Sequence, residues 1–578
     1  MSSARAMCAF LLTLLVTSGC ASARSQEPGS APNGEPADDE KKTYAEIVTE
    51  EAVTDSGLFV LHTVDEKLYF EIPVDLLDRE MLLVSRRART AQDLGYGGMK
   101  NNTQTVRWQK SREKILLRIV SYENVAADSL PIYEAVKNAN FEPIVAAFEV
   151  ETWNEDSTAV VVEATPLFTE DIPMLGLPSY YRDNFKVSSL DKDRSYLEWT
   201  KSFPENIEIR HVLTYKAKEP PANSSTGTIS LEMNQSMILL PEEPMQARLF
   251  DERVGFFSVR QVDYGLSDHK VVDRTYITRY RLEPSDTAAF RRGELVDPVE
   301  PIVYWIDPAT PEKWRPYLKA GVEDWQQAFE HAGFSNAIIA KDPPSAEEDP
   351  EFSPEDIRYS VIRWFPSDVQ NAFGPHVHDP RSGEILESDI GWYHNVANLL
   401  RNWYLIQTAA ANPEARSVKF SDEVMGKLIR FVAAHEVGHT IGLPHNMKAS
   451  SAYPVDSLRA PGFVCRMGVA PSIMDYARFN YVAQPEDEGA CFDPRVGPYD
   501  DFSVRWGYRP ILDAESPDAE METLDSWIRE REDDPTFWFG DPSAVDPTSL
   551  TEAIGSDAME AGALGIANLQ RILPSLMD

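Results

Sequence analysis

The sequence predicts an α+β protein with an antiparallel, β-rich N-terminal part, a domain with a twisted mixed sheet and two main helices, and a helical C-terminal tail. Between residues 44 and 282, short runs alternate apolar and polar residues, as in strands that bury one face. From Pro298 onward, longer apolar runs alternate with helical patterns, which is typical of a sheet covered by helices. One of these predicted helices carries two histidines four residues apart.

Length and charge narrow the class of protein. With 578 residues, of which 43% are hydrophobic, the chain can form several large cores, and we expect three or four domains. The formal net charge of −38 argues against a nucleic-acid partner and against polybasic binding to anionic lipid. Any association with a membrane would therefore need a different kind of attachment, such as a covalent lipid anchor.

The N-terminus resembles a bacterial export signal. In residues 1–23, Arg5 precedes an apolar run that is too short to span a bilayer, and small residues follow at Ala21 and Ala23. The residues up to Cys20 also resemble a lipobox, which predicts a lipid anchor on Cys20, with ordinary secretion as the alternative. We therefore predict an exported protein, either an outer-membrane or periplasmic lipoprotein or a secreted one.

Composition and strand pattern divide the remaining chain. The predicted segments are a disordered tether at 24–42, a small β domain at 43–92, a β-rich domain at 93–295, the domain with the paired histidines at 296–510, and a helical C-terminal extension at 511–578. In the β part, His62, His211 and His269 lack the spacing of metal ligands, so we interpret them as structural. A role of this part in glycan or cell-wall binding stays open.

The domain with the paired histidines shows the order strand, helix, strand, strand, hairpin, helix. This order predicts a mostly parallel sheet with an antiparallel edge. The first main helix is predicted over 310–333, the hairpin over 373–392 and a linking helix over 396–409. The second main helix begins at Ser421 or Asp422 and contains both histidines.

The motif H-E-x-x-H-x-x-G-x-x-H predicts a catalytic zinc site. His435 and His439 project from one helix face, one turn apart, and can bind one Zn²⁺. Gly442 permits the positive φ that ends the helix, and His445 then returns as a third ligand. Three protein ligands leave one tetrahedral position for water. Glu436, beside the first ligand, is the predicted general base.

A second pair of residues predicts a covalent link. Of the four cysteines, two lie in the signal region, which leaves Cys465 and Cys491. In an oxidising compartment we expect them to form a disulfide, and two buried thiols are the alternative.

The zinc motif and the sequence Ser-Ile-Met-Asp-Tyr at 472–476 together resemble the metzincin metallopeptidases, in which a Met-containing turn follows the third histidine. Segments such as NAFGPHVHDPRSGEILESDIGWYHN and GPYDDFSVRWGY resemble large bacterial zinc-dependent metalloproteases with two N-terminal domains of unknown function. The resemblance extends from Tyr44 to the end of the chain. It implies a zincin-like (metzincin) fold for residues 296–510, with Met474 as an apolar floor beneath the metal.

The resemblance also implies a function. We expect a zinc-dependent endopeptidase of a bacterial cell, which hydrolyses peptide or protein substrates with a zinc-bound water that Glu436 activates. By resemblance to astacins and serralysins, Tyr476 would bind zinc or stabilise the oxyanion, and a core tyrosine with a bonded hydroxyl is the alternative. Family members usually continue past the point where this chain ends, so we expect the extension at 511–578 to be shortened.

Two structural questions stay open at the predicted hairpin. The edge near Gly374 to His378 could pair with an extended substrate. His376, His378 and Asp379 could hold a second, structural metal, although we interpret them as a solvated edge.

Latency and alternative functions stay open as well. Because no cysteine lies between Cys20 and Cys465, a latent form would need a carboxylate or another group from the β part to block the zinc. The site could hydrolyse a non-peptide amide, or the protein could be a non-catalytic or weakly catalytic surface lipoprotein that acts as a binding module. Glu436 is not needed to bind the metal, and its presence favours catalysis.

Overall fold

The structure is a computed structural model that describes residues 42–221, 223–266, 270–542 and 545–577. The predicted signal segment, Cys20 and nearly all of the predicted tether lie outside the described residues, and so does His269. None of the helices in the described part is long and apolar enough to cross a membrane.

The N-terminal part is dominated by strands. Its strands are β1 (Val53–Ser56), β2 (Val60–Val64), β3 (Lys67–Pro73), β4 (Glu80–Arg89), β5 (Lys100–Ser111), β6 (Lys114–Val120), β7 (Asn124–Val125), β8 (Ile144–Glu149), β9 (Thr152–Trp153), β10 (Ala159–Glu163), β11 (Val187–Leu190), β12 (Tyr196–Ser202), β13 (Asn206–Ala217), β14 (Thr228–Leu239), β15 (Ser258–Asp263) and β16 (Val272–Ile277). Five short helices belong to the same part: α1 (Tyr44–Ile47), α2 (Tyr133–Ala139), α3 (Thr165–Thr169), α4 (Ser179–Asn184) and α5 (Thr287–Arg291).

Two sheets form the body of this part. The first has the order β1-β2-β3-β10-β9, and the second has the order β11-β13-β14-β4-β5-β6-β8, with β12 also paired with β13. Every pairing within these two sheets is antiparallel. Aromatic side chains from both sheets, among them Phe70 and Trp108, are fully buried in one core. The prediction of an antiparallel β-rich part is confirmed.

The second part combines a sheet with longer helices. Its strands are β17 (Ile302–Ile306), β18 (Ile338–Lys341), β19 (Ser360–Phe365), β20 (Ala372–Phe373), β21 (Val377–His378), β22 (Ile385–Glu387) and β23 (Ile390–Tyr393). Its helices are α6 (Arg315–Glu323), α7 (Gln326–Ala332), α8 (Val396–Thr408), α9 (Asp422–Thr440), α10 (Val455–Arg459), α11 (Phe463–Met467), α12 (Pro498–Tyr508), α13 (Pro517–Arg529) and α14 (Ala558–Ile572).

The five-stranded sheet has the order β18-β17-β19-β23-β20. The pairings β17–β18, β17–β19 and β19–β23 are parallel, and β20 runs antiparallel to β23 at one edge. The predicted mixed sheet with an antiparallel edge is therefore confirmed. Helices α13 and α14 account for the predicted helical character of the C-terminal tail.

The two main helices differ in how closely they follow the prediction. The segment predicted as one helix over 310–333 forms α6 and α7, which are separated at Asp324 and Trp325. The Trp325 indole N–H donates to the Ala434 carbonyl of α9 at 2.8 Å. The residue at the break is therefore hydrogen bonded to the second main helix. Helix α9 begins as predicted, because the Ser421 hydroxyl accepts a hydrogen bond from the Val424 N–H at 3.2 Å.

The predicted hairpin over 373–392 is split between two sheets, which corrects the expectation of one continuous edge. Strand β20 pairs with β23 in the main sheet, whereas β21 pairs with β22 in a separate two-stranded sheet. Val377 of β21 is buried against Leu82 and Val84 of the N-terminal part. Contact with that apolar surface draws the outer half of the hairpin away from the main sheet.

The two parts share a hydrophobic core. Val254, Phe256 and Ile277, from the end of the β-rich part, are buried in the same cluster as Val437 of α9 and Met474. Residues 43–578 form one unit. The segment boundaries stay predictions, but the surroundings of α9 are built from both sides of position 295.

Candidate active site

Helix α9 and the loop after it bring three histidines together. His435 and His439 lie one turn apart on α9, and Gly442, with a φ of +100°, turns the chain so that His445 returns to them. One ligand nitrogen from each of the three histidines lies within 4.8 Å of the other two. Within the described ranges, this is the one group of three or more histidine, cysteine or acidic side chains arranged to hold a metal.

Backbone carbonyls fix the orientation of two of the imidazoles. The Nδ1–H of His435 donates to the Ile473 carbonyl at 2.8 Å, and the Nδ1–H of His439 donates to the Leu443 carbonyl at 2.8 Å. Since a carbonyl only accepts, these bonds place the proton on Nδ1 and leave the lone pair on Nε2. Hydrogen bonds of this kind orient metal-ligating histidines in proteins.

The geometry fits a zinc ion. The Nε2 atoms of His439 and His445 are 3.1 Å apart, and two nitrogens on a tetrahedral zinc at 2.0–2.1 Å would be about 3.3 Å apart. Burial lowers the pKa of His439 to about 4 and the pKa of His445 to about 3. The imidazoles are therefore neutral at pH 7, which is the form that binds a metal.

Glu436 is a buried carboxyl next to the first ligand. Burial raises its pKa to about 8, while the charge of Arg478 and a hydrogen bond from the Gly374 backbone oppose this rise. A divalent cation held by the adjacent histidines would lower the pKa of Glu436 again and favour its ionised form. Glu436 is thus a buried carboxyl one residue away from His435, and its predicted role as general base requires the ionised form.

The predicted Met turn lies directly beneath α9. Met474 is fully buried, and its Sδ is 2.2 Å from where a Cβ on Gly438 would stand. Gly438, inside the zinc motif, is therefore required for the close approach of this turn. Asp500 holds the turn in place, because its carboxylate accepts hydrogen bonds from the Ser472 hydroxyl at 2.6 Å and the Ile473 N–H at 2.8 Å.

Tyr476 lies beside two of the three imidazoles. Its ring centroid is 4.3 Å from that of His445 and 5.5 Å from that of His435. Burial raises the pKa of its phenol, and in the described part of the chain no hydrogen bond to its hydroxyl is found. The role of Tyr476 stays a prediction, with its ring placed beside the metal-binding histidines.

The N-terminal part supplies a wall of the site that we did not predict. The Phe257 ring lies 5.9 Å from the ring of His439, and 38% of the residue is exposed. Its N–H donates to the Gly442 carbonyl at 2.8 Å. A Cβ on Gly442 would stand 2.2 Å from the Thr278 carbonyl oxygen. Nothing in the sequence signals these contacts, since Phe257 lies about 180 residues before the zinc motif.

The predicted alternatives at His376, His378 and Asp379 are both replaced by another arrangement. The Nδ1 atoms of the two histidines are 3.1 Å apart, and both side chains are half-buried rather than solvated. The Asp379 carboxylate is paired with the Arg381 guanidinium at 2.6 Å. Among the described residues, these three are not grouped as a metal site, and no carboxylate from the β part joins the zinc cluster.

A disulfide encloses the Met turn. Cys465 and Cys491 are bonded, with their Cα atoms 5.3 Å apart, which confirms the predicted pairing. The closed loop contains Met474 and Tyr476. The covalent link therefore restrains the segment that lies beneath the metal ligands.

Comparison with known families gives three matches. Residues 41–90 match a domain of unknown function (DUF5118), residues 98–285 match a domain of unknown function (DUF5117), and residues 417–578 match the family described as Met-zincin. Comparisons with curated proteins and with solved structures give no match. The Met-zincin match covers the three histidines and the Met turn, and it confirms the resemblance inferred from the sequence. Residues 417–578 thus match the Met-zincin family, and the matches to two domains of unknown function precede them in the chain.

Proposed function

We propose that this protein is a zinc-dependent endopeptidase. The observation that carries the proposal is the arrangement at α9, where three imidazole nitrogens lie within 4.8 Å of one another beside a buried carboxyl that is not one of them. A purely structural zinc site has four protein ligands and needs no such carboxyl. The Met-zincin match supports the same class of enzyme.

Different residues of the protein would bind the metal, transfer the proton and stabilise the oxyanion. His435, His439 and His445 would hold the ion through Nε2. When bound, Zn²⁺ supplies a water of lowered pKa and polarises the carbonyl of the scissile bond. Glu436 accepts a proton from the attacking water and returns it to the leaving amine. The Tyr476 hydroxyl, which no described residue binds, donates a hydrogen bond to the oxyanion that develops on the carbonyl.

We further propose that the substrate is a peptide or protein and that the enzyme acts outside the bacterial cytoplasm. The resemblance of residues 1–23 to an export signal supports the location, and Cys20 would be the lipid anchor if these residues form a lipobox. The disulfide between Cys465 and Cys491 agrees with an oxidising compartment.

Glu436→Gln tests the proposed reaction. This variant keeps the shape of the side chain and removes the base, so we expect full zinc content with casein hydrolysis reduced by roughly 10²- to 10⁴-fold. Zinc is measured by elemental analysis, and cleavage is measured with and without a chelator. Equal hydrolysis by the variant would contradict the mechanism. Bound zinc without cleavage of any peptide by the wild-type protein would favour the binding-module alternative.

A further inference from the structure

The Tyr476 ring is held in a stack of three side chains. The guanidinium carbon of Arg478 lies 3.9 Å from the centroid of the Tyr476 ring and also 3.9 Å from the centroid of the Trp403 ring. A cation at this distance from an aromatic face is attracted to the ring electrons. The Tyr476 ring thus contacts the Arg478 guanidinium as well as the His445 ring.

Elements outside the zinc motif supply the supports of this stack. Trp403 belongs to α8, and Gln407 of the same helix accepts a hydrogen bond from the Phe479 N–H at 3.0 Å. Glu552, close to the C-terminus, pairs with the Nε of Arg478 at 3.0 Å, and its N–H donates to the Tyr476 carbonyl at 3.1 Å. Two separate elements therefore converge on the residues around Tyr476.

The backbone at Arg478 is strained. Its φ is +60°, in the left-handed region that glycine adopts easily and that costs energy for a residue with a Cβ. Arg478 nevertheless keeps 87% of its side chain buried in the stack. Strained residues of this kind persist where the surroundings over-determine them, which is common at functional sites.

We propose that Arg478 is the positioning residue for Tyr476: clamped between Trp403 and Glu552, its guanidinium fixes the phenol ring beside the metal ligands. The effect of Arg478 on catalysis rests on the proposed function, in which Tyr476 stabilises the oxyanion. Arg478 acts through Tyr476 and does not touch substrate. Because Glu552 belongs to the C-terminal extension, that extension contributes to the geometry of the site.

A double-mutant cycle tests this role. We expect Arg478→Met to lower kcat for casein-derived peptides by about tenfold, with KM nearly unchanged, because the loss falls on the transition state. In a Tyr476→Phe background, the same change should alter kcat by less than about twofold, since the hydroxyl it positions is gone. An equal loss of kcat in both backgrounds, or no loss in either, would overturn the proposal.

Spectroscopy of the cobalt-substituted protein gives a readout without turnover. With a phosphinate inhibitor bound as a mimic of the oxyanion, we expect Arg478→Met to shift the visible absorption bands of the bound Co²⁺ when Tyr476 is present. In Tyr476→Phe the same change should leave the bands unchanged, because the hydroxyl that contacts the oxyanion is absent. If the wild-type protein cleaves no peptide, the proposed function fails while this spectral comparison still decides the role of Arg478. The same shift in both backgrounds would contradict the positioning role.

Two further variants guard against misfolding and non-specific effects. Glu552→Gln removes the charge partner while keeping its shape, and we expect the same pattern with a smaller loss of kcat, because Glu552 is about half exposed. Arg505→Met is the matched control, since Arg505 also lies over a tryptophan ring, that of Trp527 at 5.0 Å. The control should change neither kcat nor the cobalt spectrum. A Glu552→Gln protein with unchanged kcat and spectrum would count against the clamp.

Discussion

His211 of the N-terminal part and the two histidines of α9 are all largely removed from solvent, but they are differently bonded. His211 uses both ring nitrogens, with Nδ1 2.6 Å from the Phe168 carbonyl and Nε2 2.9 Å from the Gln235 amide. His435 and His439 instead use Nδ1 for a backbone carbonyl and direct Nε2 toward each other and His445. Burial lowers the pKa of His211 and of His439 alike, to about 4. The lowered pKa therefore does not distinguish the two kinds of histidine, but the neighbours of the Nε2 atoms do.

The largest effect is expected from removing a ligand. His435→Ala deletes one of three nitrogens, so we expect bound zinc to fall from one ion per chain to nearly none and hydrolysis to fall below detection. His211→Asn is the matched control, because its amide can still donate to the Phe168 carbonyl while the zinc site is untouched. Elemental analysis of both purified proteins measures the difference. Loss of zinc from His211→Asn would remove the distinction between the two kinds of histidine.

A second effect concerns the loop that returns His445. Gly442→Ala places a methyl group 2.2 Å from the Thr278 carbonyl oxygen at a φ of +100°. We expect a loss of about 2–4 kcal/mol in the free energy of unfolding, together with weaker zinc binding. Urea unfolding and zinc titration measure the two consequences.

Gly562→Ala is the control for the loop variant. Gly562 lies within α14, where an added Cβ meets nothing within 4 Å. Alanine should there stabilise the protein by up to about 1 kcal/mol, because it favours the helix. If Gly442→Ala proved as stable as Gly562→Ala, the close approach of Thr278 to the loop would not constrain it.

The third effect is a pH dependence of stability that arises in the β part. Since burial lowers the pKa of His211 from 6.5 to about 4, the unfolded chain binds a proton there between these pH values and the folded chain does not. The free energy of unfolding should therefore rise with pH through this window, by roughly 3 kcal/mol from this residue. His211→Asn should flatten the rise in urea unfolding measured from pH 4 to 7. An unchanged slope would show that His211 does not remain neutral in the folded protein.

The smallest effect is expected at the wall that the β part contributes. Phe257→Ala removes an exposed ring near His439 without touching a metal ligand. We expect KM for casein-derived peptides to rise roughly threefold to tenfold with little change in kcat, as for the loss of an apolar contact with substrate. Phe141→Ala, at a residue that is 75% exposed in the β part, is the control. Equal kinetics for both variants would exclude Phe257 from the substrate site.

The local parts of the site were predictable from the sequence. The spacing of His435, His439 and Gly442 follows from helix geometry and from the positive φ needed at the glycine, and both hold in the structure. The Met turn followed from the family resemblance, and its Met474 packs against Gly438 of the zinc motif. Short-range chemistry determines these features, so a short stretch of sequence is enough to predict them.

The remaining parts depend on contacts between distant segments. Phe257 and Thr278 reach the zinc loop from the β part, and Trp403 and Glu552 meet at Arg478 from opposite sides in sequence. The split of the predicted hairpin has the same origin, since contact with the N-terminal part governs its outer half. Periodicity and motif spacing carry no information on such contacts, because each segment alone satisfies its own pattern.

The most direct test of the central claim is X-ray absorption spectroscopy at the zinc edge of the purified full-length protein, combined with elemental analysis. We predict one zinc per chain, bound by three imidazole nitrogens at 2.0–2.1 Å and one oxygen. His445→Ala should remove one imidazole contribution from any zinc that remains. A protein without stoichiometric zinc, or with sulfur or carboxylate ligands in place of the three imidazoles, would contradict the account.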